Sequence, residues 1–137
     1  MAIRSRLASW WWIYWGLVWR SLGNRLASRE FYQRAVLDFT RALLHTPHDA
    51  NLYYWRGTLY WRELGDAPAA EADLTQAIEL APQKVARAYL NRAMLRLSAV
   101  PPDRDGAAAD LAAYLERGTE PYWRSVAQEY LEQLGPK

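Results

Sequence analysis

The chain has no cysteine, which excludes disulfides, thiolate nucleophiles and cysteine-ligated zinc. Net charge is nearly absent as well. Its 17 basic and 15 acidic side chains leave +2, too little to hold nucleic acid by bulk electrostatics, so none is expected as a partner. No apolar run is long enough to cross a bilayer. The longest, Trp10 to Trp19, is stopped by Arg20 and falls well short of the roughly 20 residues a spanning helix requires. No small-x-small cleavage site follows it, so it does not read as a secretory signal. The expected compartment is the cytoplasm, with the Trp-rich segment as the feature suited to a membrane surface.

Catalytic constellations are missing too. No Ser-His-Asp set, phosphate-binding glycine loop or pair of catalytic carboxylates can be assembled, so neither enzymatic activity nor a cofactor is expected. Pro47 breaks the helix between His45 and His48, and no further ligand accompanies them, so they read as solvated histidines rather than a metal site. Asp103-x-Asp105-Gly106 resembles the opening of a calcium loop but lacks the later ligands and the closing Glu. A turn with a helix cap at Asp105 accounts for it.

Against these absences stands an internal repeat. Ala35, Phe39, Ala42 and Pro47 return 35 residues later as Ala70, Leu74, Ala77 and Pro82. Ala70, Leu74 and Ala77 return after 37 more as Ala107, Leu111 and Tyr114. Self-similarity at this period indicates stacked helix pairs, each burying its apolar face against the next. The spacing predicts helices ending near Ala27 and over Glu30–His45 in the first pair. Ala50–Leu64 and Ala67–Leu80 form the second, and Val85–Ala99 and Gly106–Arg117 the third. A last helix is expected over Pro121–Leu134, with Val126, Tyr130, Leu131 and Leu134 covering the open end of the array. Gly65 suits a left-handed helix stop, and Asp66 an N-cap. The fold class is therefore all-α, an α-solenoid of about seven helices. It divides into a basic, Trp-rich extension (1–15), three repeats (16–49, 50–84 and 85–120) and a capping helix (121–137).

Trp19-x2-Leu22-Gly23-x2-Leu26-x8-Ala35-x3-Phe39-x2-Ala42-x4-Pro47 resembles the tetratricopeptide repeat family over nearly the whole family pattern. The later copies keep its register with departures. Arg96 stands where the second copy has Tyr60, and the first internal turn has Arg29-Glu30 in place of glycine. The resemblance implies a non-enzymatic adaptor or assembly factor. The first helix of each pair would line a concave groove, and the partner would be a segment of another protein.

Charge divides along the same line. The inner helices hold Arg20, Arg25, Arg56, Arg62, Arg87, Arg92 and Arg96 against Glu63 alone, whereas the outer helices hold most of the acids. A basic groove and an acidic back are therefore expected, suited to an acidic or carboxylate-ending peptide. The candidate groove residues are Arg20, Asn24, Tyr54, Trp55, Thr58, Arg62, Arg87, Asn91 and Met94. Some family members grip a chaperone tail through a two-carboxylate clamp. Arg20, Asn24 and Arg87 match that clamp, while Trp55 and Asn91 depart from it.

Five tryptophans fall between Trp10 and Trp19. Trp12, Trp15, Trp19, Leu22 and Leu26 follow helical spacing and read as a core stripe. Trp10, Trp11, Tyr14 and Val18 fall outside it and form a candidate hydrophobic contact surface. Three readings stay open for that surface: burial by residues 1–9 or the helix's own neighbours, contact with a partner or second copy as a structural subunit, and attachment to a membrane surface.

Overall fold

Helix starts and stops follow from side chains legible in the sequence. The computed structural model describes residues 2–136 and contains seven helices. These are α1 (Ala2–Leu26), α2 (Arg29–His45), α3 (Ala50–Leu59), α4 (Ala67–Leu80), α5 (Ala86–Ser98), α6 (Arg104–Arg117) and α7 (Pro121–Leu134). A π-helical turn, Tyr60–Leu64, continues α3. Asp49, Asp66 and Asp103 each accept a backbone N–H of the helix they open, at 3.0, 3.1 and 2.9 Å. These bonds satisfy donors that would otherwise lack partners. The third cap is Asp103 rather than the expected Asp105: α6 begins two residues before Gly106, and Asp103 reaches the Gly106 N–H. Gly65 takes the left-handed backbone (φ 68°) that ends the second inner helix, and Ala27 is forced into it (φ 49°) after α1.

The helices pack in chain order, α1 on α2, α3 on α4 and α5 on α6, with each pair stacked on the next and α7 on α6. Small residues set the spacing. Ala35, Ala70 and Ala107 are fully buried, and a Cβ on Gly57 would lie 2.9 Å from that of Asp73. Large side chains fill the space between, with Phe39, Leu74, Leu111 and Tyr114 fully buried.

α1 departs from expectation. Its deepest positions are Ser9, Gly16 and Gly23, seven apart, on a seam that brings its backbone against Phe39 and Tyr32 of α2. Trp12 and Trp19 pack beside that seam, whereas Leu26 is 62% exposed instead of lying in the core stripe. The seam is rotated because two glycines let α2 approach more closely than tryptophans could. Trp11, Trp15, Trp19 and Phe31 form an aromatic ladder with centroid separations of 6.0, 6.0 and 5.6 Å. On α7 the covering stripe is likewise shifted by about one position, to Trp123, Ala127, Leu131 and Leu134.

A polar ladder ties the pairs together. Arg56 of α3 donates twice to Asp73 of α4, both bonds at 2.7 Å, and once to Thr40 of the preceding pair at 3.0 Å. Arg92 of α5 repeats this on Asp110 of α6, at 2.9 and 2.7 Å, and on Thr75 of the preceding pair at 2.9 Å. Arg96 joins through Glu71 (2.6 Å) and Asp110 (3.0 Å). The expected split into basic groove and acidic back is therefore revised. Asp38, Asp73 and Asp110 are buried, and Arg56, Arg92 and Arg96 turn inward to carboxylates. Burial alone would lower the pKa of Arg56, but Asp73 outweighs it and the guanidinium ends above its usual value. The first pair has Leu22 at the arginine position, so Asp38 bonds Arg41 at 2.9 Å instead.

Two stability measurements test this packing. By helix propensity Gly16→Ala should stabilise by about 1 kcal/mol. A Cβ there would sit 2.6 Å from the fully buried Phe39 ring, so urea denaturation is expected to show a loss of about 1–3 kcal/mol instead. Arg56→Met strands the Asp73 carboxylate and is expected to cost about 3–5 kcal/mol, whereas Arg56→Met with Asp73→Leu should recover most of it. Arg92→Met should cost less than Arg56→Met, because Arg96 still serves Asp110.

Candidate functional site

With three inner arginines spent on carboxylates, the remaining cations define what the inner face can bind. Two hollows meet at Asn51 and Trp55, both from the inner helix α3. The larger, about 390 Å³, is bounded by Tyr54 and Trp55, by Lys84 to Arg87 at the start of α5, by Tyr114 and Arg117 of α6, and by Gly118 to Glu120. The smaller, about 270 Å³, continues towards α1 along Arg6, Trp10 and Ile13. Neither α5 nor α7 has a side-chain cap at its N-terminus, and both N-termini border the larger hollow. Uncapped helix N-termini favour anions.

Tyr114 is the residue that changes this end of the array. Its counterparts in the earlier pairs are Ala42 and Ala77, so a full aromatic ring must fit where a methyl group sat. Gly118 makes the room, since a Cβ on it would collide with the tip of the Tyr114 ring. The ring is fully buried, yet its hydroxyl has no hydrogen-bond partner. The Nε of Arg87 and the Nε of Arg117 are buried and unpartnered in the same way. Among the described residues these are the buried side-chain polar atoms without a partner, and all three residues line the larger hollow. An unsatisfied buried donor costs about 1–3 kcal/mol, and the three residues that carry these donors border one hollow.

The surrounding charges are held in place. Arg87 lies 4.4 Å over the Trp123 ring and reaches Glu120 at 3.2 Å through one terminal nitrogen. Arg117 lies 5.0 Å over Tyr89 and donates to the Ala113 carbonyl and to Glu116. Burial raises the Tyr114 pKa, Glu120 raises it further, and Arg87 and Arg124 oppose them, with a net rise. Arg20 has no carboxylate partner among the described residues and rests 5.8 Å from the Trp55 ring centroid. Its pKa is lowered chiefly by burial, as for a partly desolvated cation without a counter-ion.

The structure gathers Tyr54, Trp55 and Arg87 on one hollow and sets Arg20 on Trp55. Asn24 is exposed and its carbonyl accepts the Tyr32 hydroxyl at 3.1 Å, while Arg62 is exposed over Trp61. Asn91 is buried and its amide donates to Thr58 at 3.2 Å, so these two side chains brace α5 against α3. Met94 packs half-buried on the core. Trp10, Trp11 and Tyr14 are exposed, and Val18 is half-buried. Sequence reasoning missed Asn51, Tyr114, Arg117 and Glu120. The signal for Tyr114 was present, as a tyrosine in a slot that holds alanine in the other copies.

Residues 50–84 match the family model described as Tetratricopeptide repeat. The fold is similar to the TPR domain of Arabidopsis OM64, with a TM-score of 0.75 and 26% identity over 94% of this chain and 98% of that one. It is also similar to the first TPR domain of Spaghetti (RPAP3), solved bound to the HSP90 peptide SRMEEVD, with a TM-score of 0.68 and 22% identity over 90% of this chain and 98% of that one. No curated protein sequence matches. With one repeat matched in sequence, two more repeating its helix packing and a closing helix over the end, the chain is a helical-repeat protein consistent with the tetratricopeptide repeat family.

Proposed function

We propose that the chain is a non-enzymatic protein-interaction module. It would take an acidic or carboxylate-ending peptide segment of a partner along its inner helices, and so act as an adaptor or assembly factor. The observation that carries this reading is the set of three unpartnered donors, Arg87 Nε, Arg117 Nε and Tyr114 Oη, around one hollow. A carboxylate is acceptor-only, offers several lone pairs and forms charge-assisted bonds with guanidinium groups. Tyr54 and Trp55 would supply flat apolar contact beside it. Arg20 and Arg62 would extend the cationic track, Asn24 would add a neutral polar contact beside them, and Met94 would add an apolar edge. The Thr58–Asn91 bond would hold the two inner helices at fixed separation. A neighbour of the same fold binds a peptide ending in acidic residues, which supports the class of ligand. The grip proposed here differs from a two-carboxylate clamp, because it draws on α6 and the α6–α7 turn.

Glu120 already occupies one terminal nitrogen of Arg87, so a bound carboxylate competes with it.

Fluorescence anisotropy with a panel of acidic heptapeptides, SRMEEVD included, each as free acid and amide, tests the reading. Arg87→Glu is expected to weaken binding of the free acids at least about tenfold, and Glu120→Gln to strengthen it. Tyr114→Phe separates two effects of opposite sign. It should raise the stability of the free protein by about 1 kcal/mol, by removing an unsatisfied hydroxyl, and weaken peptide binding. No binding across the panel, or binding indifferent to all three substitutions, would sink the proposal.

A further inference from the structure

The unpartnered side of α1 carries a second surface, independent of the groove. Ile3, Leu7, Trp10, Trp11 and Tyr14 are 76, 65, 66, 59 and 60% exposed. Their spacing places them on one face, and Val18 continues it. At 100° per residue this face lies nearly opposite the Ser9–Gly16–Gly23 seam that packs on α2. α1 is therefore apolar on two sides, and only one of them is covered by this chain. A helix apolar all round belongs in an apolar surrounding, and a row of large exposed hydrophobics on a folded domain marks a contact surface.

Charge decides between the occupants. The first acidic residue of the sequence is Glu30, so α1 carries Arg4, Arg6, Arg20 and Arg25 and no carboxylate. A second copy docking antiparallel through this face would bring a second cationic helix, with its own Arg4, Arg6 and Arg25 and no carboxylate, against the first. A parallel copy would set each arginine against itself. Either arrangement brings like charges together with nothing to neutralise them, which costs affinity. An anionic lipid surface has the opposite sign and no fixed register. The side chains fit it as well: tryptophan and tyrosine favour the headgroup boundary, while Ile3 and Leu7 can enter the acyl region. No helix among the described residues is long and apolar enough to cross a membrane, so the contact is one of lying on the surface.

We infer that α1 is an interfacial helix that attaches the domain to anionic bilayers through the Ile3–Leu7–Trp11–Tyr14 face, with Arg4 and Arg6 beside the headgroups. The larger hollow lies on α3, α5, α6 and the α6–α7 turn, so attachment leaves it open; Arg6 and Trp10 border the smaller hollow.

Flotation of the full chain with phosphatidylcholine vesicles, with and without phosphatidylserine, tests this directly. Binding is expected to the mixed vesicles and to be at least about tenfold weaker to phosphatidylcholine alone. Leu7→Ser with Trp11→Ser should abolish it, and Arg4→Gln with Arg6→Gln should weaken it by about tenfold or more. Circular dichroism should show both variants folded, since all four side chains are exposed. Arg87→Glu should float like the unaltered chain, which separates failure here from failure of the groove. Two results overturn the inference. One is vesicle binding unaffected by either pair of substitutions. The other is no vesicle binding, whether the chain stays a monomer by light scattering or forms a dimer that Leu7→Ser with Trp11→Ser dissolves.

Discussion

The bidentate arginine–aspartate bond inside each of the last two helix pairs governs the rest of the molecule. Arg56 on Asp73 and Arg92 on Asp110 restrain the separation and roll of the paired helices, because two parallel N–H···O bonds hold guanidinium and carboxylate in a defined relative geometry. Their remaining nitrogens reach back to Thr40 and Thr75, so the same side chain that closes one pair docks it on the pair before. Ala112 stands where a third threonine would continue the series. The array ends there, and α7 closes it by apolar contact through Trp123, Ala127, Leu131 and Leu134.

This ladder also sets the electrostatics of the inner face. Seven arginines on the inner helices suggest a strongly basic groove, but Arg56, Arg92 and Arg96 are neutralised in the ladder and Arg87 is partly neutralised by Glu120. What is left is narrower and better defined: Arg20 on Trp55, Arg62 at the rim, and Arg87 with Arg117 around the hollow that Tyr114 helps to build. The last two guanidinium groups are held by stacking on Trp123 and Tyr89, which keeps their geometry while leaving their Nε donors unspent. Preorganised donors of this kind lose little entropy when an acceptor arrives.

Much of the architecture was legible because period and punctuation agree. The alanines at 35, 70 and 107, the prolines at 47 and 82 and the Gly65-Asp66 turn give helix number, order and most ends; α4 and α7 begin and end at the expected residues. Helix rotation was not legible, since a shift of one residue costs little in pattern. On α1 an apolar face on both sides left periodicity without a preferred direction, and only Gly16 and Gly23 hinted at the true seam. The buried role of Arg56, Arg92 and Arg96 was hidden for another reason. A charged residue in a repeat looks the same in sequence whether it meets solvent or an aspartate about 18 residues on. Of the residues lining the candidate hollow, Tyr54, Trp55 and Arg87 follow from the inner-helix pattern, whereas Tyr114, Arg117 and Glu120 lie on the outer helix and its turn, where no ligand contact was expected.

In the proposed reading, the groove would hold a peptide segment while the tryptophan face would hold the domain. The claim at the centre of that picture is that the Arg87 and Arg117 Nε–H groups are free for a ligand while those of Arg56 and Arg92 are not. Nuclear magnetic resonance of the arginine Nε–H signals during titration with an acidic free-acid peptide reads all four at once. The account predicts that the Arg87 and Arg117 signals shift and become protected from exchange, while those of Arg56 and Arg92 are already protected and stay in place. Movement of the ladder signals with Arg87 and Arg117 unchanged would contradict it.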